Sequence, residues 1–211
     1  MVVVSKRRKG KSRAWLDRQN KDPYVQKARK SGYRARAAYK LEEIDQKFRL
    51  IRPGQTVIDL GAAPGSWSQY VTEKLNGDVR IVAVDLLPMD SLPSVEFIQG
   101  DFTDDEVLAA MKAAIGESPV DLVISDMAPN ISGNRAIDQP RSMYLAELAM
   151  ELCNEVLKPG GDFVCKLFQG EGIDEYIAAA RAAFRRVKVM KPKASRPGSR
   201  EVYLVARNYR L

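Results

Sequence analysis

Three things are missing or scarce in this sequence of 211 residues, and each absence excludes a class of protein. There is no histidine, so acid–base chemistry would have to use Lys, Asp, Glu, Tyr or Cys, and Ser-His-Asp and Cys-His mechanisms are excluded. Cys153 and Cys165 are the only cysteines and form no Cys-x-x-Cys motif, which argues against a disulfide framework or zinc cluster and favours a reducing cytoplasm. No apolar run reaches the roughly eighteen residues of a membrane span, and no apolar stretch follows the basic N-terminus as in a secretory signal.

Positive charge is concentrated in the first thirty residues. Residues 1–30 carry eleven Lys and Arg against Asp17 and Asp22, a net charge of +9, whereas the whole chain carries +7 and residues 31–211 therefore −2. A clustered basic segment can neutralise the phosphates of a nucleic acid, or it can be a solubilising tail. We predict a basic RNA-binding leader over residues 1–32 and a single catalytic domain over residues 33–211, a length that can bury a full core.

Beyond the leader, strand-like and helix-like patterns alternate. Strands are predicted at 55–60, 80–87, 95–98, 120–125, 162–168, 185–190 and 201–206, and helices at 33–49, 66–75, 104–115, 140–157 and 173–184. This alternation predicts an α/β fold with a mostly parallel, seven-stranded sheet and helices on both faces. About ten residues join the last two strands, too few for a crossover helix, so these strands should form an antiparallel hairpin. Such a sheet is typical of the Rossmann-like S-adenosylmethionine-dependent methyltransferases.

Small and acidic residues follow the first three predicted strands, where an open α/β sheet binds its ligands. The first strand runs into Gly61-Ala62-Ala63-Pro64-Gly65, a close turn that lacks the Gly-x-Gly-x-x-Gly fingerprint for a pyrophosphate. The second ends in Asp85, where an acid binds ribose hydroxyls. The third runs into Asp101, a suitable acceptor for an adenine amino group. Together these positions predict a cofactor that contains a nucleoside.

Three ionisable residues occupy the same edge of the predicted sheet. Asp126 closes the fourth strand, Lys166 closes the fifth, and Glu201 opens the last. Because the last strand is antiparallel, its beginning lies beside the ends of the others. The pattern alone allows either a catalytic cluster or a plain Asp–Lys ion pair between neighbouring strands.

The chain resembles the FtsJ/RrmJ-type ribosomal RNA 2′-O-methyltransferases from the leader to the last strand. The matching segments, in order, are SRAWLDRQNKDPYVQKARKSGYRARAAYKLEEID, VIDLGAAPGSWSQYV, VAVDLLPMD, FIQGDF, VISDMAPNISG, FVCKLFQGEG and SREVYLVA. The sequence departs from the family pattern slightly, at Ser66, where a glycine is common, and at Ala38-Tyr39, where bulkier aromatic residues are frequent.

The resemblance implies a catalytic Lys-Asp-Lys-Glu tetrad at Lys40, Asp126, Lys166 and Glu201. The residues expected to bind the cofactor are Gly61, Ala62, Pro64, Gly65, Trp67, Asp85, Leu86, Asp101, Phe102 and Asp126. Taken alone, the local pattern also allows Lys40 to be a solvated lysine paired with Glu43, and Trp67 to be a core residue.

The function that the resemblance implies is methylation of a uridine ribose in large-subunit (23S) ribosomal RNA, in the A-loop of the assembled subunit. S-adenosylmethionine would be the methyl donor, with no metal. Lys166 would act as base or charge stabiliser, held by Asp126, while Lys40 and Glu201 orient the ribose. The partners would be ribosomal RNA and the large ribosomal subunit, with no membrane, and the protein would be a cytoplasmic monomer.

Other functions fit the sequence less well. Methylation of an adenine amino group calls for an [DNS]-P-P-[YFW] loop, whereas the loop here reads Asp126-Met-Ala-Pro-Asn130. Methylation of cytosine carbon 5 needs a cysteine nucleophile, but Cys165 should point to the opposite face of the sheet from Lys166. The turn sequence excludes an NAD-dependent dehydrogenase. An RNA-binding assembly factor with a vestigial methyltransferase fold remains as the alternative.

Overall fold

The computed structural model describes Asp17 and residues 20–210. The helices are α1 (Pro23–Ser31), α2 (Ala38–Phe48), α3 (Ser66–Lys74), α4 (Asp105–Ile115), α5 (Arg135–Val156) and α6 (Ile173–Ala183). The strands are β1 (Gln55–Leu60), β2 (Val79–Asp85), β3 (Val95–Gln99), β4 (Val120–Ser125), β5 (Leu157–Phe168), β6 (Phe184–Met190) and β7 (Glu201–Tyr209).

All seven strands form one sheet in the order β3-β2-β1-β4-β5-β7-β6. Strands β1 to β5 are parallel, whereas β7 runs antiparallel to both β5 and β6. The predicted fold class is confirmed, including the terminal antiparallel hairpin. As a result, the first residue of β7, Glu201, lies opposite Phe168 at the carboxyl end of β5.

Two apolar layers, one on each face of the sheet, hold the fold together. Side chains of α4, α5 and α6 cover one face, where Cys165 is buried, and side chains of α2 and α3 cover the other, where Val164 is buried. Successive residues of a strand point to opposite faces, so Lys166 shares the second face with Val164. Cys165 therefore points away from Lys166, as predicted.

Several element boundaries differ from the predictions for physical reasons. Helix α5 begins at Arg135, five residues before the predicted start, because the side chain of Asn134 caps it. Pro140, the predicted first residue, therefore lies inside the helix. Strand β2 stops at Asp85, and Leu86 and Leu87 leave the sheet with 61% and 65% of their surface exposed. Strand β5 begins earlier than predicted, at Leu157, which pairs with Val120 across an irregular register.

Helix α1 lies in the predicted leader, where no helix was predicted. Asp22 caps it by accepting hydrogen bonds from the amides of Tyr24 and Val25. Ala28 is its only buried residue, packed with Tyr39 and Ala194. Most of the leader's charge lies in residues 1–16, 18 and 19, which are outside the described residues. None of the helices in the described part of the chain is long and apolar enough to cross a membrane.

Candidate active site

A cavity of about 410 Å³ opens at the carboxyl edge of the sheet, over the ends of β1, β2 and β4. Gly61 and Ala63 of the turn after β1 line it, and Gly61 has a φ of 72°. A Cβ at Gly61 would come within 2.9 Å of the Met127 side chain and 3.0 Å of the Met127 backbone. Glycine is therefore required on both conformational and steric grounds.

Two acidic residues line the cavity, each anchored by the backbone. Asp85 accepts hydrogen bonds from the amides of Ala63 (2.9 Å) and Leu87 (2.8 Å). Asp101 accepts from the amide and hydroxyl of Thr103 through one oxygen, and these bonds lower the pKa of its carboxyl. Both groups are fixed acceptors at the edge of an otherwise largely apolar pocket.

The lining of this cavity fits S-adenosylmethionine. Its volume is that of an ordinary small-ligand pocket, and the apolar side chains of Leu86, Phe102 and Leu145 can hold a flat base. Among the residues that the structure describes, no Lys or Arg lines the cavity. It therefore suits a nucleoside that carries a positive charge rather than one that carries phosphates.

The predicted cofactor contacts divide into two groups. Six of them line the cavity: Gly61, Asp85, Leu86, Asp101, Phe102 and Asp126. The other four, Ala62, Pro64, Gly65 and Trp67, belong to the turn or to the start of α3 and lie outside the lining. A Cβ on Gly65 would lie 2.9 Å from the guanidinium of Arg34, so Gly65 allows the chain before α2 to pack against the turn.

The four residues of the predicted tetrad lie in one cluster that adjoins the cavity through Asp126. Lys166 Nζ lies 3.2 Å from Asp126 Oδ1 and donates a hydrogen bond of 2.9 Å to the Asp126 carbonyl. Lys40 Nζ, from α2, lies 2.6 Å from Glu201 Oε1. Lys40 is thus paired with Glu201 and not with Glu43. The side chains of the four residues are only 10–18% exposed.

The two lysines keep both carboxylates ionised. Burial opposes ionisation of Asp126, but the charges of Lys166 and Lys40 and hydrogen bonds outweigh it and lower the pKa of this carboxyl. Burial likewise opposes ionisation of Glu201, and Lys40 together with Ser195 lowers its pKa. The cluster therefore holds two ionised carboxylates, each in contact with a lysine side chain.

Tyr203 joins the two ion pairs and was not singled out by the sequence. Its hydroxyl donates a hydrogen bond of 2.6 Å to Asp126 Oδ1, and Lys40 Nζ lies 5.8 Å from the centre of its ring. Burial and the neighbouring carboxylates raise the pKa of this phenol well above its usual value. The period-two pattern of β7 could have indicated Tyr203, because it shares a face with Glu201.

A further buried carboxylate near the site, Asp59, belongs to β1, just before the turn. Asp59 Oδ2 accepts a hydrogen bond of 2.7 Å from Ser68 Oγ, while Oδ1 has no hydrogen-bond partner. Complete burial, together with the charges of Asp126 and Asp85, raises the pKa of Asp59 to about 7, although the Ser68 hydrogen bond opposes the shift. Asp59 is therefore a structural acid that is close to half-protonated near neutrality.

Comparison with known proteins now places the chain in a family. The FtsJ-like methyltransferase profile matches residues 33–209. The protein called ribosomal RNA large subunit methyltransferase E from Pseudomonas paraeruginosa is 59% identical over 199 residues, which cover 94% of this chain and 96% of that protein. The chain belongs to the FtsJ-like methyltransferase family. This FtsJ-like methyltransferase uses S-adenosylmethionine as its methyl donor.

Solved structures agree with the family at the level of the fold. A ribosomal RNA methyltransferase from Plasmodium falciparum superposes with a TM-score of 0.76 at 30% identity, over 84% of this chain and 98% of that one. Human methyltransferase-like protein 13, solved with S-adenosylhomocysteine, gives a TM-score of 0.60 at 16% identity, over 81% of this chain and 82% of its own. The second likeness concerns the fold alone.

Proposed function

We propose that this FtsJ-like methyltransferase transfers a methyl group to the 2′-hydroxyl of a uridine in large-subunit ribosomal RNA, in the A-loop. The observation that carries the proposal is the pair of buried lysine–carboxylate contacts, Lys166–Asp126 and Lys40–Glu201, at the mouth of a cavity suited to the cofactor. A ribose hydroxyl is a weak nucleophile and must lose its proton as the new bond forms. Groups that position it and manage that proton are what such a reaction needs.

S-adenosylmethionine, when bound, supplies a methyl group on a positively charged sulfur. Asp85 and Asp101, held by backbone amides, would bind the ribose hydroxyls and the adenine amino group. Asp126 lies both in the cavity lining and against Lys166. It would therefore keep Lys166 directed at the space where the cofactor and the target ribose meet.

We assign to Lys166 one of two roles: it accepts the proton of the ribose hydroxyl, or it stabilises the negative charge that develops on the oxygen. As a neutral amine it would take the hydroxyl proton, and as an ammonium it would stabilise the negative charge on the oxygen. Lys40 and Glu201 would hold the ribose, since their side chains form the other half of the cluster. Ser195 donates a hydrogen bond of 2.8 Å to Glu201 Oε1 and fixes that carboxylate.

The choice of ribosomal RNA as substrate rests on the relatives and on charge. Relatives from three Pseudomonas species that are 56–59% identical carry the name ribosomal RNA large subunit methyltransferase E, and the predicted leader over residues 1–32 is strongly basic. We propose that the leader binds RNA phosphates and that the large ribosomal subunit is the partner. The protein would act as a monomer in the cytoplasm, where the subunit is assembled.

The chemistry of the product tests the proposal directly. Purified protein would be incubated with S-adenosylmethionine carrying a tritiated methyl group and with large ribosomal subunits that lack the modification. The labelled RNA would then be hydrolysed in alkali. A 2′-O-methyl group blocks cleavage at the adjacent phosphodiester, so the label should appear in an alkali-resistant dinucleotide whose 5′ nucleoside is a methylated uridine.

Label in alkali-sensitive mononucleotides would place the methyl group on a base and contradict the proposal. Label in a resistant dinucleotide outside the A-loop would retain the ribose chemistry and change the target. An Asp126→Ala variant serves as a control, because it removes the partner of Lys166 and should abolish the incorporation that depends on the tetrad.

A further inference from the structure

A second basic surface lies far from the tetrad, at the other end of β6 and β7. It is a groove of about 530 Å³ between the end of α2, the end of α6 and the last two strands. Six cations line this basic groove: Arg181, Arg185, Arg186, Lys188, Arg207 and Arg210. Arg207 alone among them forms an ion pair within the described residues, with Asp162 at 3.5 Å.

The groove and the tetrad share one face of β7. Glu201 and Arg207 are six residues apart in β7, which places them on the same face, about 20 Å apart at the rise of a β-strand. Buried Tyr203 and Val205 separate them. A target ribose bound at Glu201 is therefore too far away to contact the groove. The groove would have to contact a different part of the same RNA.

Like charges face each other inside the groove. Arg186 of β6 lies directly opposite Arg207 of β7 in the antiparallel register, and like charges in that position destabilise a strand pair. This repulsion is expected to destabilise the pairing of β6 with β7, and within the described residues no ion pair of Arg186 offsets it. An anionic ligand between the two guanidinium groups would remove the repulsion.

Protection of an edge strand does not explain this charge. Edge strands often carry charged side chains that discourage pairing with another chain, and β6 is an edge of the sheet. However, Arg207 lies on β7, which is an inner strand, and Arg181 lies on α6. Cations from three elements thus converge on one concave surface, and five of the six are arginines, the residue best suited to bidentate phosphate binding.

We propose that the basic groove binds the phosphate backbone of a segment of ribosomal RNA other than the one that carries the target nucleotide. The inference rests on the proposed function for the identity of the RNA. The groove would add a second, sequence-independent contact with the large subunit, at the ends of β6 and β7 that are remote from the tetrad.

The double variant Arg186→Gln/Lys188→Gln tests the groove. Both residues are exposed and have no ion pair within the described residues, so the fold should survive. The matched control is Lys112→Gln/Lys158→Gln, which removes the same charge from two exposed residues outside the groove that pair with Glu155 and Asp121. The probe is the purified large subunit, with binding measured by filter retention across a salt series and methyl transfer measured separately.

The groove variant should bind the subunit several-fold more weakly than the control variant. Its slope of log K against log salt should be shallower by about 1.5 to 2 units, the value for two lost phosphate contacts. Its KM for the subunit should rise, whereas kcat at saturation and the affinity for S-adenosylmethionine should match the wild type.

Equal slopes and equal KM values for the groove and control variants would overturn the proposal. If the wild type binds the subunit but transfers no methyl group to it, the proposed function fails, and the binding slopes still decide the groove. Weaker binding to anionic lipid vesicles with unchanged binding to the subunit would assign the groove to a membrane surface and would also overturn the proposal.

Discussion

Lys40 and Lys166 are chemically alike, but the site holds them in different ways. The ammonium of Lys166 contacts both the backbone oxygen and the carboxylate of Asp126, a residue that also lines the cofactor cavity. The ammonium of Lys40 contacts Glu201 and lies over the ring of Tyr203. Lys166, the lysine that contacts the cavity-lining Asp126, is the one to which we assign the proton.

Replacing Lys166 should separate chemistry from binding. Lys166→Ala should lower turnover by about two to four orders of magnitude, the range for loss of a positioned acid–base group. Its affinity for S-adenosylmethionine, measured by calorimetry, should stay within a few-fold of the wild type. Lys166→Arg should not restore turnover, because a guanidinium stays protonated. Near-normal turnover in the arginine variant would show that Lys166 acts as a fixed charge and not as a base.

Asp59 should make the free energy of unfolding fall with rising pH. Its folded pKa is about 7, whereas an unfolded aspartate titrates near 3.9. The folded state therefore retains a proton that the unfolded state has lost between about pH 4 and pH 7. Within this window the Asp59 carboxyl should lower the free energy of unfolding by about 1.4 kcal/mol for each pH unit of increase.

The Asp59→Asn variant isolates that effect from the other carboxylates. Urea denaturation at pH 5 and pH 8 should show the stability difference between variant and wild type moving in favour of the variant by about 3 kcal/mol as the pH rises. Asp126 and Glu201, whose pKa values are lowered, change stability only at more acidic pH, below the unfolded pKa of a carboxyl near 4, and so do not contribute to this difference. A stability difference that does not change with pH would contradict the prediction.

Three of the four tetrad residues could be found from the pattern of strands because parallel strands end at one edge, whereas Lys40, on α2, was identified only by the resemblance to the family. Asp126 follows β4 and Lys166 lies near the carboxyl end of the neighbouring β5, and the short connection before β7 brings Glu201 to the same edge. The sequence does not indicate the distances that join Tyr203 and Ser195 to the carboxylates, since those depend on side-chain rotamers and on the loop over residues 191–200. The roles of the tetrad and of the cofactor contacts stay predictions.

At the scale of elements, the strands were more readily predicted than the helix α1. Seven short apolar runs correspond to the seven strands, although the bounds of β2, β5 and β7 differ from the predicted ones by two to five residues. Helix α1 has only Ala28 buried, so it presents no apolar stripe that periodicity could detect. The start of α5 was missed because Pro140 resembles a first-turn proline, whereas Asn134 caps the helix further upstream.

Asp22 should contribute much of the stability of helix α1. It caps the helix and also pairs with Arg36 (2.8 Å) and Arg196 (3.4 Å). Asp22→Ala should destabilise the helix by about 1 kcal/mol through the lost cap alone. Hydrogen exchange of residues 23–31 should therefore accelerate about five-fold or more.

The Asp22→Asn variant is the matched control for the cap. It keeps an oxygen that can accept from the helix amides but removes the charge that pairs with the two arginines. Exchange should then be intermediate between the wild type and Asp22→Ala. If Asn and Ala accelerate exchange equally, the ion pairs and not the cap stabilise this helix.

At the scale of the whole molecule, the predicted leader holds the excess of positive charge, with a net charge of +9 over residues 1–30 against −2 over the rest of the chain. Removing residues 1–30 would also take out Ala28, which packs on Tyr39 and Ala194. Removing residues 1–19 is the cleaner change, because it deletes seven Lys and Arg and one Asp and leaves α1 and its cap in place. Affinity for the large subunit should fall while affinity for S-adenosylmethionine is retained.

The salt dependence of binding measures this contribution of the leader. If about half of the seven cations touch phosphate, the slope of log K against log salt should flatten by about 3 units. A full-length variant with those seven residues changed to glutamine should behave like the deletion. If both proteins show the wild-type slope of log K against log salt, the leader does not bind RNA and is a solubilising tail. The RNA would then bind to the rest of the chain.

The position of Trp67 provides an optical signal at the site. The sequence has only two tryptophans, Trp15 and Trp67. Trp67 is buried near the turn after β1, donates a hydrogen bond of 2.8 Å to the Ala37 carbonyl just before α2, and lies 5.8 Å from the ring of Tyr203. In a Trp15→Phe protein, all tryptophan emission would arise beside the two ion pairs. Ligand arrival could then be timed by stopped-flow fluorescence, without any attached dye.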